Sequence, residues 1–375
     1  MRIGIDIRSL IETHPSGVSH YTRELLQHLP LIGGGHEFRL FCNSAAEVPG
    51  WLTTLIARYP QYHLVHRRMP NKLFNLMQWA MGLPAVDRLA GTVDVFLMPN
   101  IIFAGISRMT PLVITAHDAS FTYPGFYQLR SRWWHRVVNP GRWYRRADHI
   151  LAVSESTRRD LVMHFGIPEQ KVSVVHLGVD MARFQSVAAT QIEQVRSSFR
   201  LDRPYVLFMG TVMDRKNIDT ILQAWRALTG PGDGGYDLVL AGYIQEARLI
   251  PDDDRIRALG YIPEPLKPAL YAGATAFVYP SFFEGFGLPV LEAMASGVPV
   301  ITSAATSLGE VAGDAALLVN PYRADELADA LRVVLRDQAL RDMLIRRGRE
   351  RASLFSWERT ARETLAVLRA QGTRS

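Results

Sequence analysis

Cysteine, lysine and long apolar runs are what this sequence has least of. Its single cysteine, Cys42, excludes any disulfide within the chain and any multi-cysteine metal site. It stands in the apolar stretch 38–42 and reads as a buried core thiol, since free cysteine packs as a small hydrophobe. No apolar run approaches the roughly 18–20 residues that a membrane-spanning helix needs. The opening residues, MRIGIDIRSL, carry a strand pattern and not that of a signal peptide, so a cytoplasmic protein is expected. Internal repeats are missing too. With 48 % apolar and 21 % charged residues, the composition excludes disordered, collagen-like and coiled-coil classes.

What is present suffices for two cores. At roughly 100–200 residues per domain, the 375 residues imply two domains of similar size. The net charge of +6 is unevenly spread: residues 1–182 hold 19 basic and 13 acidic side chains, whereas 183–375 balance at 23 of each. Much of the excess falls where Arg130, Arg132, Arg136, Arg142, Arg145 and Arg146 alternate with Trp133, Trp134, Trp143 and Tyr144. Such a patch fits a solvated helix face, an acidic ligand or an anionic membrane surface, near which each basic residue is worth about 1 kcal/mol. No nucleic-acid motif accompanies it, so no nucleic-acid partner is expected.

Short apolar runs alternate with longer stretches of helical period, the pattern of a parallel sheet covered by helices. The chain does this twice. Strands are expected over 2–7, 37–41, 93–98, 112–115, 149–153 and 172–176, with helices over 18–29, 74–89 and 131–147. A second series gives strands over 205–209, 238–241, 276–279, 298–302 and 316–319, with helices over 217–228 and 284–296. Apolar periodicity is lost over 180–191, which reads as the linker. The turn GPGDGG, 230–235, joins a helix to a strand instead of opening a helix and is not a phosphate loop. Doubly wound domains of this kind bind ligands at the carboxyl ends of their strands.

The segment PSFFEGFGLPVLEAMASGVPVI, 280–301, is the richest in chemistry. Glu284 and Glu292 stand eight positions apart with Gly285 and Gly287 between them, and a helix opens near Leu288. Glycines let backbone N–H groups approach a ligand, and a helix N-terminus favours negative charge, so a diphosphate suits the turn. A carboxylate about one turn into the helix can accept hydrogen bonds from sugar or ribose hydroxyls. Lys216 and Arg215 follow the strand 205–209, and a compact ammonium is a fitting partner for a diphosphate. Only four of the 42 basic residues are lysine, so Lys216 is not the default cation. His117 and Asp118 follow the strand 112–115, and Ser16 and Gly17 precede a helix.

EGFGLPVLEAMASGVPVI resembles the Glu-x7-Glu motif of family 4 glycosyltransferases, and the resemblance runs through SGVSHYTREL, AHDASF, VSESTRRDL, VVHLGVD and GTVMDRKNID. It is closest to bacterial polysaccharide mannosyltransferases. The resemblance implies an α/β GT-B fold of two doubly wound Rossmann-like domains facing across a cleft. The N-terminal acceptor domain would span 1–182, the C-terminal nucleotide-sugar domain 183–357, and a helix over 358–375 would cross back to the first.

By the same resemblance, His117, Asp118 and Glu284 are the catalytic candidates, with His117 and Glu284 on the donor sugar. Gly287 and Leu288, beside Gly285 and Phe286, offer backbone donors to phosphate and sugar. Glu292 takes the ribose, Lys216 the diphosphate, Gly17 the donor phosphate or the acceptor, and Tyr261 with Ile262 the base. Many members carry arginine after the strand-ending glycine; here Thr211 stands there, leaving Arg215 as a second positive charge or as half of a structural salt bridge. Arg132, Trp133, Trp134, Arg136, Arg142 and Arg145 form a membrane or acceptor patch.

The implied reaction retains anomeric configuration and needs no cofactor and no metal. The triplet Asp252, Asp253, Asp254 follows no hydrophobic strand that would fix a metal geometry. The expected partners are a nucleotide-sugar donor, GDP-mannose first and a UDP-sugar of glucose or N-acetylglucosamine second, and a glycan or lipid-linked acceptor at the inner membrane face. A nucleotide-sugar epimerase and a non-catalytic nucleotide-sugar-binding subunit are the readings from other classes.

Overall fold

The computed structural model describes residues 1–11, 16–32, 34–123, 125, 136–228 and 235–373. It divides the chain into two compact units, Met1–Leu177 with Trp357–Ser375, and Gly178–Ser356.

The first unit holds seven strands, β1 (Arg2–Asp6), β2 (Glu37–Asn43), β3 (Tyr62–Arg67), β4 (Val95–Met98), β5 (Leu112–Ala116), β6 (His149–Ala152) and β7 (Val172–Val174). They lie in the order β3-β2-β1-β4-β5-β6-β7, every pair parallel. The order reverses direction between β1 and β4, which places the topological switch point there. Helices cover both faces, so the central strands are apolar throughout; all of β4 and β5 is buried. Phe41, Phe74, Phe96, Ile114 and Ile150 belong to one core cluster.

The second unit repeats the plan with β8 (Tyr205–Met209), β9 (Asp237–Ala241), β10 (Ile256–Gly260), β11 (Ala276–Tyr279), β12 (Val300–Ser303) and β13 (Leu317–Val319). Their order is β10-β9-β8-β11-β12-β13, again parallel. Here the switch point falls between β8 and β11.

The sequence pattern misses β3 and β10, and both are outermost strands. An edge strand is covered on fewer sides and has no reason to be apolar throughout; β3 reads YHLVHR with one buried residue. The helix expected over 74–89 is broken. Asn71–Met81 ends at Gly82 in the left-handed region, φ 62°, and Pro84, which has no N–H to donate, separates it from a short turn at Val86–Leu89. In the stretch expected as a helix over 131–147, Asn139 ahead of Pro140 leaves right-handed helical geometry, which proline disfavours in the residue before it, for the left-handed region that asparagine tolerates. A helix then runs over Pro140–Arg146. Arg132, Trp133 and Trp134 lie outside the described residues, as do 230–234 of the GPGDGG turn.

The stretch 180–191 is not structureless. Asp180 caps the helix Met181–Gln185, its carboxylate accepting from the Arg183 N–H at 3.0 Å, and the helix Ala189–Phe199 follows. The units divide just ahead of these, between Leu177 and Gly178. The helix Trp357–Gly372 belongs to the first unit. It buries Trp357, Ala361, Leu365 and Leu368, spaced three or four apart, the leucines worth about 1.5–3 kcal/mol each. Thr360 donates its hydroxyl to the His176 carbonyl at 2.7 Å.

Candidate functional site

In the second unit the switch point brings together residues far apart in sequence. Lys216 follows β8 and Glu284 follows β11, and because those strands are neighbours the two side chains meet. Lys216 Nζ donates to Glu284 Oε1 at 2.5 Å and to the Tyr279 hydroxyl at 2.7 Å. Arg215 Nη1 lies 3.5 Å from Glu284 Oε2 and donates to the Phe283 carbonyl at 2.6 Å. Arg215 therefore does make the salt bridge. Burial pushes the Glu284 carboxyl up, but Lys216 and Arg215 outweigh it and hold the group below the ordinary carboxylate range. Glu284 is thus a carboxylate between two cations, with lone pairs left over for donors such as sugar hydroxyls.

The turn after Glu284 is built by backbone. The Glu284 N–H donates to Thr306 Oγ1 at 3.0 Å, while the Ser307 hydroxyl lies 2.9 Å from both the Glu284 and Phe286 carbonyls. Gly287 has φ 109°, and a Cβ there would come within 2.6 Å of Leu308 Cδ2, so both backbone and packing demand glycine. From it the helix Leu288–Ala295 starts, with Pro289, which has no N–H, in its first turn, and the Val290 N–H donating to the Gly287 carbonyl at 3.0 Å. Gly285 and Phe286 are buried in the same turn.

Glu292 sits on the second turn of that helix, 8 % exposed, and accepts from the Tyr271 hydroxyl at 2.8 Å. Burial raises its pKa, opposed by Lys267 and Tyr271. Thr211 is half-buried beyond β8; past the end of β10, Tyr261 is exposed and Ile262 buried. Among the described residues no group of three or more His, Cys, Asp or Glu could hold a metal ion. In the aspartate triplet, Asp253 accepts from the Arg255 N–H at 2.9 Å.

In the first unit, His117 and Asp118 leave β5 at its carboxyl end. His117 Nε2 lies 2.8 Å from the Pro99 carbonyl, so Nε2 carries the hydrogen and Nδ1 is left as an acceptor. Its ring packs edge-on against Tyr21. Burial lowers the His117 pKa against the opposing pull of the Pro99 carbonyl and Asp118, which keeps the ring neutral. The unfolded chain then binds this proton at higher pH than the folded one, so stability is lost as pH falls below the ordinary histidine value of about 6.5. A thermal-unfolding series from neutral to mildly acidic pH should show that loss, and His117→Phe should remove part of it.

Asp118 Oδ1 accepts from the Ser120 N–H at 3.2 Å and hydroxyl at 2.9 Å. Gly17 opens the helix Gly17–Ile32, with Ser16 Oγ accepting from the Ser19 N–H at 3.3 Å. A Cβ on Gly17 would meet nothing within 4 Å, so the fold itself does not demand glycine there. In the described part of the basic patch, Arg136, Arg142 and Arg145 are exposed, whereas Trp143 is half-buried and Tyr144 buried.

Sequence reasoning missed Tyr279, Tyr271, Thr306 and Ser307, none of which belongs to a recognisable local pattern. It also missed Arg8, just past β1. Its guanidinium pairs with Asp6 at 2.6 Å, donates to the Phe103 carbonyl at 3.0 Å and lies over the Phe41 and Phe74 rings. The signal was a charged pair at the end of the first strand.

Residues 15–183 match the family model described as Glycosyltransferase Family 4, and residues 190–351 the one described as Glycosyl transferases group 1. The chain is 31 % identical to O-antigen chain mannosyltransferase B of Escherichia coli, over 93 % of this chain and 95 % of that one. It is 30 % identical to the MMP alpha-(1->4)-mannosyltransferase of Mycolicibacterium hassiacum over 95 % of each. Among solved structures, Anabaena HepE in complex with UDP and glucose covers 99 % of this chain and all of its own at a TM-score of 0.71 and 17 % identity. That likeness establishes the GT-B fold.

Proposed function

We infer from the family 4 glycosyltransferases, to which this chain belongs, that it transfers mannose from GDP-mannose, with retention, to a glycan or lipid-linked acceptor in bacterial polysaccharide assembly. The observation that carries the transfer is the cluster of Lys216, Arg215 and Glu284 at the switch point, beside the helix that opens at Gly287. A diphosphate leaving group needs positive charge and backbone donors, and this turn supplies both. The sugar rests on the mannosyltransferase relatives, aligned over nearly the whole chain.

The acceptor hydroxyl attacks the anomeric carbon on the face from which the diphosphate departs. Its oxygen forms the new bond, the bond from carbon to phosphate oxygen breaks, and its proton passes to that departing oxygen. Configuration is kept without a protein nucleophile. Lys216, Arg215 and the helix N-terminus stabilise the growing charge, and no metal is invoked. In the second unit Glu284 orients the sugar and Glu292 holds the ribose, with Tyr261 and Ile262 against the base; in the first unit Asp118 holds the turn beside neutral His117, the family's sugar-contacting histidine. The bare Gly17 backbone leaves room for phosphate or acceptor.

A thermal-shift screen with GDP, UDP, ADP and dTDP tests the nucleotide. A ligand at 100 times its Kd adds about 2.7 kcal/mol to the native state, which for a unit the size of Gly178–Ser356 raises Tm by about 5–10 °C. GDP should give that rise and the others little. A rise with UDP alone would put a UDP-sugar in place of GDP-mannose.

A further inference from the structure

The helix Asn71–Met81 in the first unit has an outer face that contradicts ordinary solubility. Phe74 and Gln78, four residues apart, are its buried side chains. Gln78 is tied down, its amide donating to the Pro84 carbonyl at 2.8 Å. At about 100° per residue, Lys72, Leu76 and Trp79 therefore form the opposite stripe. Leu73 is 49 % exposed, Leu76 56 %, Trp79 55 %, Met81 62 % and Leu83 54 %. Single exposed apolar residues need no explanation, but five within eleven positions do.

Along the chain, the charge in this stretch has one sign. Between Glu47 and Asp87 the sequence has no acidic residue, while Arg58, Arg67, Arg68 and Lys72 are all present. Arg67, Arg68 and Lys72 are exposed at the start of the helix. That start is firmly built. Asn43, at the end of β2, donates to the Met69 carbonyl at 3.0 Å and to Asn71 Oδ1 at 2.9 Å, and accepts from the Met69 N–H at 3.1 Å. The helix thus begins at the carboxyl ends of β2 and β3, the same edge of the sheet from which Arg8, His117 and Asp118 project.

We propose that this face, Leu73, Leu76, Trp79 and Leu83 with Arg67, Arg68 and Lys72, docks the first unit onto an anionic lipid bilayer. Aliphatic side chains and an indole on one side of a helix, fringed by cations, match the boundary between acyl chains and anionic headgroups. A second copy of this chain fits less well, because a symmetric pairing would set Arg67, Arg68 and Lys72 against their own counterparts. The Arg136, Arg142 and Arg145 patch is the weaker candidate, since the neighbouring Trp143 and Tyr144 turn inward. Docking here rests on the lipid-linked acceptor reading only for its purpose: it would hold the acceptor-side strand ends at the surface where such an acceptor lies.

The test is sedimentation with vesicles of phosphatidylcholine alone and with about 30 % phosphatidylglycerol, an anionic lipid. The full chain should bind the anionic vesicles and leave the neutral ones. Replacing both Leu76 and Trp79 with serine should lower binding at least about tenfold, and Arg68→Ser or Lys72→Ser about fivefold each. Arg136, Arg142 and Arg145 replaced together by serine should retain most of it. The proposal fails if the full chain ignores anionic vesicles, if the Leu76 and Trp79 replacements bind undiminished, or if ultracentrifugation shows these residues holding a dimer instead. The nucleotide thermal shift of each variant, a property of the second unit, should match that of the original chain; its survival separates a failed docking surface from a failed transferase reading.

Discussion

Glu292→Ala should leave the second unit folded and weaken GDP binding by two orders of magnitude or more. A carboxylate that receives two ribose hydroxyls makes two charge-assisted hydrogen bonds, each worth about 1.5–3 kcal/mol net. Losing both costs about 3–6 kcal/mol, or roughly 10²–10⁴ in Kd. Folding should suffer less. The Tyr271 hydroxyl loses its acceptor, at about 1–3 kcal/mol, yet a carboxylate whose pKa burial already raises is removed with it. Glu292→Gln retains an acceptor oxygen and should fall between the two. Calorimetric titration with GDP reads all three proteins, and an unchanged Kd for the alanine variant would take the ribose away from Glu292.

The central strands were legible because a parallel sheet covered by helices makes them apolar from end to end, as β8 and β11 are. One edge of each sheet was not, since β3 and β10 have less to bury. The turn and helix that carry Glu284, Gly287 and Glu292 were legible for a related reason: the three lie on one turn and one helix, so their spacing is itself the geometry. What no local pattern could reveal was pairing across the switch point. Lys216 and Glu284 meet because β8 and β11 are neighbours, and neighbourhood is a property of strand order. Tyr279, on β11 itself, joins them for the same reason, and Tyr271 reaches Glu292 from the helix Lys267–Ala272. The apolar face of Asn71–Met81 was hidden differently, for its side chains read as core until Phe74 and Gln78 are seen to take the buried positions.

Lys216→Met should lower kcat by about 10²–10³ and change how stability depends on pH. In the proposed reaction the ammonium meets charge that develops on the diphosphate only as the sugar leaves, so its loss falls on kcat more than on KM. Removal of one such electrostatic contact costs about 2.7–4 kcal/mol in other enzymes. The stability effect follows from Glu284. With Lys216 present its folded pKa lies below the unfolded one, so the pair contributes stability above the unfolded pKa and loses it as pH falls through the folded value. With methionine, burial prevails over Arg215 alone and the folded pKa rises above the unfolded one. The buried carboxylate then destabilises the fold at neutral pH, by about 3 kcal/mol where one partner of a buried pair is lost, and protonation relieves it. The gap in Tm between the two proteins should therefore narrow on acidification, a trend that a change of packing alone would not produce. If kcat is unchanged while this pH dependence appears, Lys216 serves Glu284 and the fold, and the diphosphate must be held by Arg215 and the helix that starts at Leu288.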